Sequence, residues 1–425
     1  MRPPTPPTAL LRRVCVRTLH ARPSSTSSRA GLRSFPAWFV RGGTSNGLVI
    51  RAIDLPPSPS SWSSVLAPAM GSPDAQYGRQ LDGMGSGVSS TSKLVVLSPP
   101  PPPPTTIAHV AYTFVQVGIR DGVVDTAGNC GNMSSIVGPA AWDMGYVRDE
   151  DKPALVQTAA ADGTRWATLR LFNTNTSKVI ESTFRVDAED GRCCYCPEGD
   201  YVMDGVPGKQ SCITMSFLDP AGAKTGRALP TGRPVDMLDV VAADGSDAPP
   251  VRASLVDVGN PGVFVTGRSL GYPTAASLSP AAIESDAALK TRLEALRRRG
   301  AQLMGMDPDT ESVPKIVLLF PPSDDGGGGG GGAEVDISCR AMSMGQAHKA
   351  VPLTLALCLG AAARMRGTLA WEMLREAGRA QDKPAVRIAH PSGLVDVGTT
   401  MVDGEVKAAK LLRTARVLMK GEVFY

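Results

Sequence analysis

Three short stretches of this chain recur further along it in the same order, and that recurrence limits the folds open to the chain more than any other feature. Thr44–Ile50 (TSNGLVI) resembles Gly259–Val265 (GNPGVFV), and Ser92–Leu97 (SKLVVL) resembles Pro314–Leu319 (PKIVLL). Cys130 precedes Pro139, and Ser343 precedes Pro352, by the same nine residues. One such match is noise; three in one order point to two copies of a single structural unit. The copies are expected over 36–206 and 207–410, with 1–35 standing apart as a leader. The spacing makes Ser343 the expected counterpart of Cys130.

Inside each copy, short apolar runs alternate with clusters of Gly, Pro, Asn and Asp. Leu48–Ile50, Leu94–Leu97, Val110–Val117, Thr168–Phe172, Ile213–Phe217 and Ile316–Phe320 read as strands. Helical spacing appears at Ser134–Met144, Ala281–Arg299, Val351–Met365 and Leu369–Ala377. The fold class is therefore α/β (α+β): two repeated units, each of short strands around one buried helix. The second central helix is apolar on nearly every side from Val351 to Ala363, the pattern of a fully buried helix. Pro139 and Pro352 are expected near helix starts, where a missing N–H costs little. Two helices aimed N-terminus first into a shared cleft would offer free N–H groups and two positive dipole ends. A molecule with two or three carboxylates suits such a cleft.

Two turn-rich segments place reactive side chains at that cleft. Ser89-Ser90-Thr91-Ser92-Lys93 runs straight into a strand, and Gly128-Asn129-Cys130-Gly131-Asn132-Met133-Ser134-Ser135 runs into a helix expected to begin at Asn132. Small residues on either side let a ligand approach the backbone. Lys93 becomes a base once burial and neighbouring positive dipoles populate its neutral amine. Cys130 stands where a helix dipole favours negative charge. Carboxylate donors are expected from the side chains of Thr44, Ser45, Ser89, Ser90 and Thr91. Asn129 and Ser343 would line the same cleft, and backbone N–H groups around Gly131, Asn132, Met344 and Gly345 would complete the set. His348 and Lys349 add charge near the second helix. Arg227 reads as structural, and His390 lies in a turn without an evident role.

Composition removes several other functions. The chain has 425 residues, 42% of them apolar, enough to bury a large core. Its net charge of +4 is concentrated in the leader, where residues 1–35 hold seven arginines and no acid, leaving 37 basic against 40 acidic residues elsewhere. A near-neutral body has no electrostatic footprint for nucleic acid. The leader, rich in Arg, Ser and Thr, reads as a mitochondrial transit peptide, with a cytoplasmic location as the alternative. No uncharged apolar run reaches 18 residues, so no membrane span is expected. The eight cysteines read as reduced thiols, and Cys193-Cys194-Tyr195-Cys196 with Cys212 fits no zinc spacing. Gly83–Gly87 lacks the ending of a phosphate-binding loop, so neither a nucleotide cofactor nor a metal is implied. Pro99–Pro104 should form a stiff polyproline turn and Gly326–Gly332 a surface insertion.

The wider context of both site segments resembles a known family. Arg41–Gly47, Ser89–Lys93, Gly128–Ser135, Phe172–Thr176, Asp219–Arg227, Asp257–Pro261, Ser343–Lys349 and His390–Gly393 match, in order, motifs of the PrpF-like isomerases, and the match runs from about residue 37 to the end. Members often carry lysine where Asn46 stands, so no carboxylate contact is assigned there. The resemblance implies a diaminopimelate-epimerase-like fold, two domains each a curved mixed sheet around a central helix, with 411–425 returning as the last strand of the first domain and the active site between the two. It also implies a cofactor-independent isomerase acting on aconitate, methylaconitate or related unsaturated acids, with Lys93 and Cys130 as catalytic residues. Epimerases of this fold use two facing cysteines. A serine hydroxyl in the second place is too weak an acid or base to replace a thiol, which argues against inversion of a stereocentre. An amino-acid racemase or epimerase and a non-catalytic carboxylate-binding protein are the competing readings. The expected partner is a small polycarboxylate, with a homodimer as an allowed assembly.

Overall fold

Each repeated strand motif buries both of its faces. The computed structural model describes residues 33–103, 107–189, 192–240, 249–322, 334–379 and 385–425; the leader up to residue 32 and the glycine run Gly326–Gly332 lie outside these. In the first half the principal strands are β1 (Ser34–Gly42), β2 (Ser45–Arg51), β3 (Lys93–Ser98) and β4 (Val110–Val117). Strand β3 runs parallel to β2 and antiparallel to β4. Val49, Val95 and Leu97 point into the main core, while Leu48, Leu94 and Val96 pack outward against Val65, Leu66 and Met70 of a covering segment. A strand covered on both sides has no polar face to show, which is why its sequence is a continuous apolar run.

The helix α1 (Gly131–Asp143) follows, with β5 (Arg165–Asn173) and β6 (Lys178–Glu189), and β7 (Ile213–Leu218) pairs with β6. Every residue from Gly131 to Trp142 in α1 is buried. Its Trp142 ring meets Phe184 of β6 edge-on, with centroids 6.0 Å apart, and Gly138 sits where an added Cβ would lie 2.6 Å from Ser182 Oγ on the same strand. Only a residue without a side chain lets helix and sheet approach that closely. The helix begins at Gly131, one residue earlier than expected, with Cys130 at its N-cap. Pro139 therefore falls in the helix interior rather than near its start, and it has no N–H to offer the Ser135 carbonyl.

The second half repeats this order of pairing. Strands β8 (Val251–Val258), β9 (Asn260–Thr266), β10 (Lys315–Phe320) and β11 (Ile337–Ser343) lie side by side, with β10 parallel to β9 and antiparallel to β11. Val317 and Leu319 face the main core; Ile316, Leu318 and Phe320 face Leu289, Leu293 and Leu296 of helix α2 (Ala287–Leu303). The expected single helix over Ala281–Arg299 is broken at Asp286. That residue is extended, and its Oδ1 accepts the Leu289 N–H at 2.9 Å, so it caps a new helix instead of continuing the old one.

Helix α3 (Leu353–Ala362) is buried along its whole length and begins directly after Pro352, its N-cap. Its Gly360 presses on the sheet as Gly138 does, an added Cβ falling 2.5 Å from Val397 Cγ1. Helix α4 (Leu369–Glu376) and strands β12 (Ala385–His390), β13 (Gly393–Val402), β14 (Glu405–Arg413) and β15 (Ala415–Phe424) finish the chain. Strand β14 pairs with both β13 and β7, and β15 pairs antiparallel with β1, joining all of these strands into one mixed sheet system around the two central helices.

Candidate active site

The N-termini of α1 and α3 meet. An added Cβ on Gly131 would lie 2.6 Å from Leu353 Cδ2, so the first residues of the two helices are in contact. Around this junction lies a cavity lined by Ser45, Lys93, Gln116, Asn129, Cys130, Asn132 and, from the second half, Ser312, Lys315, Ser343, Met344, His348 and Thr354, among others. Its volume is about 30 Å³, and through Gln116 and Met344 it adjoins an outer cleft of about 460 Å³.

Lys93 opens strand β3 and is only 6% exposed. Its Nζ donates to Ser89 O at 2.7 Å and to Gln116 Oε1 at 3.1 Å. The Gln116 amide is itself aligned by donating to Ser89 O at 3.2 Å and Ser92 O at 2.8 Å. Among the described residues no carboxylate pairs with this ammonium. Burial lowers the Lys93 pKa, with the nearby Cys130 acting in the opposite direction. The partners are thus neutral acceptors that position the nitrogen without fixing its proton.

The Cys130 loop is held from the other half of the chain. Asn260 Nδ2 donates to Asn129 O at 2.9 Å, and Asn260 Oδ1 accepts from Asn129 N at 3.3 Å. Asn129 Oδ1 accepts from Ser134 Oγ at 3.2 Å within the first turn of α1. Asn132 donates to Thr44 Oγ1 at 3.1 Å and accepts from Arg413 Nε at 3.3 Å. Gly43 closes over it with φ +52°, where an added Cβ would overlap Asn132 Oδ1 at 2.1 Å.

From the second half come Lys315 and His348. Burial first, and the Lys93 ammonium second, bring Lys315 down to about 8. His348 is pushed to about 4 by burial and by Lys93. Its Nδ1 accepts the Ala350 N–H at 3.1 Å, so the neutral ring carries its proton on Nε2 and presents a donor. The lining holds two lysines and a histidine but no Asp or Glu. Such a cavity is electrostatically prepared for an anion, and the two helix starts add partial positive charge.

The structure brings Lys93, Cys130, Ser45, Asn129, Asn132, Ser343, Met344 and His348 to one cavity. Gly131 lies at the junction beside it, and Thr44 reaches it through Asn132. Ser89 and Gly345 line the outer cleft; Ser90 belongs to the single 3-10 turn Ser89–Thr91 that precedes Lys93. The Thr91 hydroxyl is engaged locally, accepting from Ser86 and donating to Val88 O. Lys349 is exposed and outside the lining. Ser343 ends strand β11, ten residues before α3, whereas Cys130 caps α1 directly. The equal spacing to the two prolines does not mark equivalent places, because Pro139 is inside one helix and Pro352 caps the other. The residue that precedes its helix as Cys130 does is Pro352, which has no acid or base at all. Cys130 is the cavity's one thiol among the described residues.

Sequence reasoning passed over Lys315, Ser312, Gln116 and Asn260. The signal for Lys315 was present in the repeat, which aligns it with Lys93, and Asn260 stands in both the repeat stretch Gly259–Val265 and the motif Asp257–Pro261; Ser312 and Gln116 are a loop serine and a strand glutamine with no motif of their own.

A family model described as PrpF protein matches residues 33–425. The chain is 36% identical over 400 residues to 3-methylitaconate isomerase of Eubacterium barkeri, covering 92% of this chain and 96% of that one. It is 36% identical over 410 residues to 2-methyl-aconitate isomerase of Cupriavidus necator, covering 91% and 96%. The crystal structure of a methylitaconate-delta-isomerase superposes with a TM-score of 0.67 at 34% identity, covering 92% of this chain and 96% of the other. The fold is diaminopimelate-epimerase-like. No helix among the described residues is long and apolar enough to cross a membrane.

Proposed function

Because the chain belongs to the PrpF family, we propose that it is a cofactor-independent isomerase that moves a proton along an unsaturated di- or tricarboxylic acid of the aconitate or methylaconitate type. The observation that carries this reading is the buried Lys93 amine, held by neutral acceptors in a cavity lined by cations and without carboxylates.

Shifting a double bond requires loss of a proton from carbon conjugated to a carboxylate. The resulting dienolate is the high-energy species, so rate comes from a positioned base and from fixed positive dipoles near the developing oxyanion. Lys93 as the free amine takes that proton. The N–H groups at the starts of α1 and α3, the His348 Nε2–H and the hydroxyl of Ser45 stabilise the carboxylates as charge spreads into them. The Lys93 ammonium then returns the proton at the far end of the allyl system, or the Cys130 thiol delivers one there and is reprotonated by Lys93. With one thiol in the cavity, the two-thiol exchange that inverts a stereocentre has no second partner.

The repeated strand pairing supports a division into domains at 36–206, closed by the last strand, and 207–410, with the site between them. The acid-free leader supports delivery to mitochondria, which N-terminal sequencing of protein recovered from that organelle tests. The central test is incubation with aconitate, methylaconitate, itaconate and oxalomesaconate isomers in heavy water, followed by NMR. Deuterium entering one carbon of one acid with migration of its double bond is the expected result; no exchange with any of these acids would reject the isomerase reading.

A further inference from the structure

Ser312 is 4% exposed, lines the cavity, and among the described residues its Oγ has no hydrogen-bond partner. A buried hydroxyl left unpaired is costly, and such a group at a ligand cavity signals a missing acceptor or donor. Three residues on, Lys315 turns its Nζ back to the Ser312 carbonyl. Among the described residues that is its one acceptor, so an ammonium with three protons keeps two for something else. On the other wall, Lys93 bonds the carbonyl of Ser89, four residues before it, in the same manner. Two amines thus face one cavity from opposite halves of the chain, each folded onto the turn that precedes its strand, and neither has an acidic partner among the described residues.

Resting on the isomerase reading for the identity of the substrate, we propose that Lys315 and the Ser312 hydroxyl form a second carboxylate subsite, which binds a carboxylate remote from the proton transferred to Lys93 and selects acids with more than one carboxylate. The two roles divide because the environments differ. Lys93 already spends two donors on Ser89 and Gln116 and lies fully inside; Lys315 is partly exposed at the strand start and retains donors for an incoming anion. A carboxylate placed between Lys315 Nζ and Ser312 Oγ would satisfy both groups at once.

The experiment measures calorimetric binding of tricarballylate, a saturated tricarboxylate that cannot isomerise, to the full chain and to Lys315→Met, Lys315→Arg and Ser312→Ala, each checked by circular dichroism. A charge-assisted hydrogen bond lost at such a site weakens binding roughly ten- to a hundredfold, so Lys315→Met is expected in that range, Ser312→Ala at several-fold, and Lys315→Arg close to wild type. With the substrate found in heavy water, Lys315→Met should raise KM at nearly unchanged kcat. Tricarballylate binding by Lys315→Met within twofold of wild type, absence of binding by wild type, or loss of kcat at unchanged KM would each overturn the subsite. If Lys315→Met does not fold, undiminished binding by Ser312→Ala decides against it. Wild type that binds tricarballylate but exchanges no proton with any acid removes the isomerase reading alone; wild type that isomerises while the variants bind undiminished removes the subsite alone.

Discussion

Asn260 and Asn129 hold each other through paired hydrogen bonds, the Asn260 amide donating to the Asn129 carbonyl at 2.9 Å while its oxygen takes the Asn129 N–H at 3.3 Å. Asn260 begins strand β9 in the second half; Asn129 immediately precedes Cys130 in the first. Both side chains are buried. Replacing Asn260 by leucine keeps the branched shape but strands a buried N–H, and Thr354 relieves only the carbonyl, at 3.4 Å. We expect Asn260→Leu to lose about 2 kcal/mol in urea unfolding, with kcat falling because the Cys130 loop loses its register against the second half. Stability within about 0.5 kcal/mol of wild type would show that the clasp carries no load, since ordinary surface changes reach that size.

Removing the Lys93 amine separates catalysis from charge. Lys93→Ala should lower kcat by ~10²–10⁴, the usual worth of general-base catalysis. Lys93→Arg should fare no better, because a guanidinium keeps the charge and cannot give up its proton. Activity of either variant within a few-fold of wild type would reject Lys93 as the base.

The two lysines predict a bell-shaped dependence of kcat/KM on pH. Lys93 must be neutral, and burial lowers its pKa, so activity rises with pH through that lowered value. Lys315 must be charged to hold a carboxylate. Burial, then a protonated Lys93, bring it to about 8; in the active form Lys93 is neutral, so the alkaline limb lies above that value and below the ordinary lysine range. Arginine stays protonated throughout this range. The Lys315→Arg profile should therefore lose its alkaline limb, and a limb that stays in place would assign it to another group.

His390 makes the fold sensitive to acid. Its Nδ1 accepts the Ser392 N–H at 3.2 Å, and burial, then Arg413, His348 and Arg340, push its pKa to about 3. In the unfolded chain the same ring titrates near ~6.5. Below that pH the unfolded state binds a proton that the folded state refuses, so stability is full above ~6.5 and declines as pH falls toward about 3. His390→Asn retains an acceptor at the δ position and removes the titration. Its urea midpoint should fall less steeply between pH 6.5 and 4, and parallel slopes would exclude His390 as the source.

Local chemistry was legible in the residues themselves. The runs SKLVVL and PKIVLL announce buried strands because a strand covered on both faces has only apolar side chains to offer, and the all-apolar stretch before Ala363 announces a central helix for the same reason. Glycine and asparagine around Cys130, and serines before Lys93, mark turns where a ligand can reach the backbone. The family is legible as well, through eight ordered motifs. What the chain alone did not determine is how those parts meet. The expected equivalence of Ser343 and Cys130 rested on equal spacing to prolines, yet spacing along a chain does not report where a helix begins: capping does, and Cys130 and Pro352 are the caps. Lys315, Ser312 and Asn260 acquire meaning only through contacts spanning the two halves, since burial, an absent acid partner and an unpaired hydroxyl are properties of the packed environment rather than of any residue. The repeat aligned Lys315 with Lys93, but only tertiary structure could place both amines in one cavity and give them different hydrogen-bond partners.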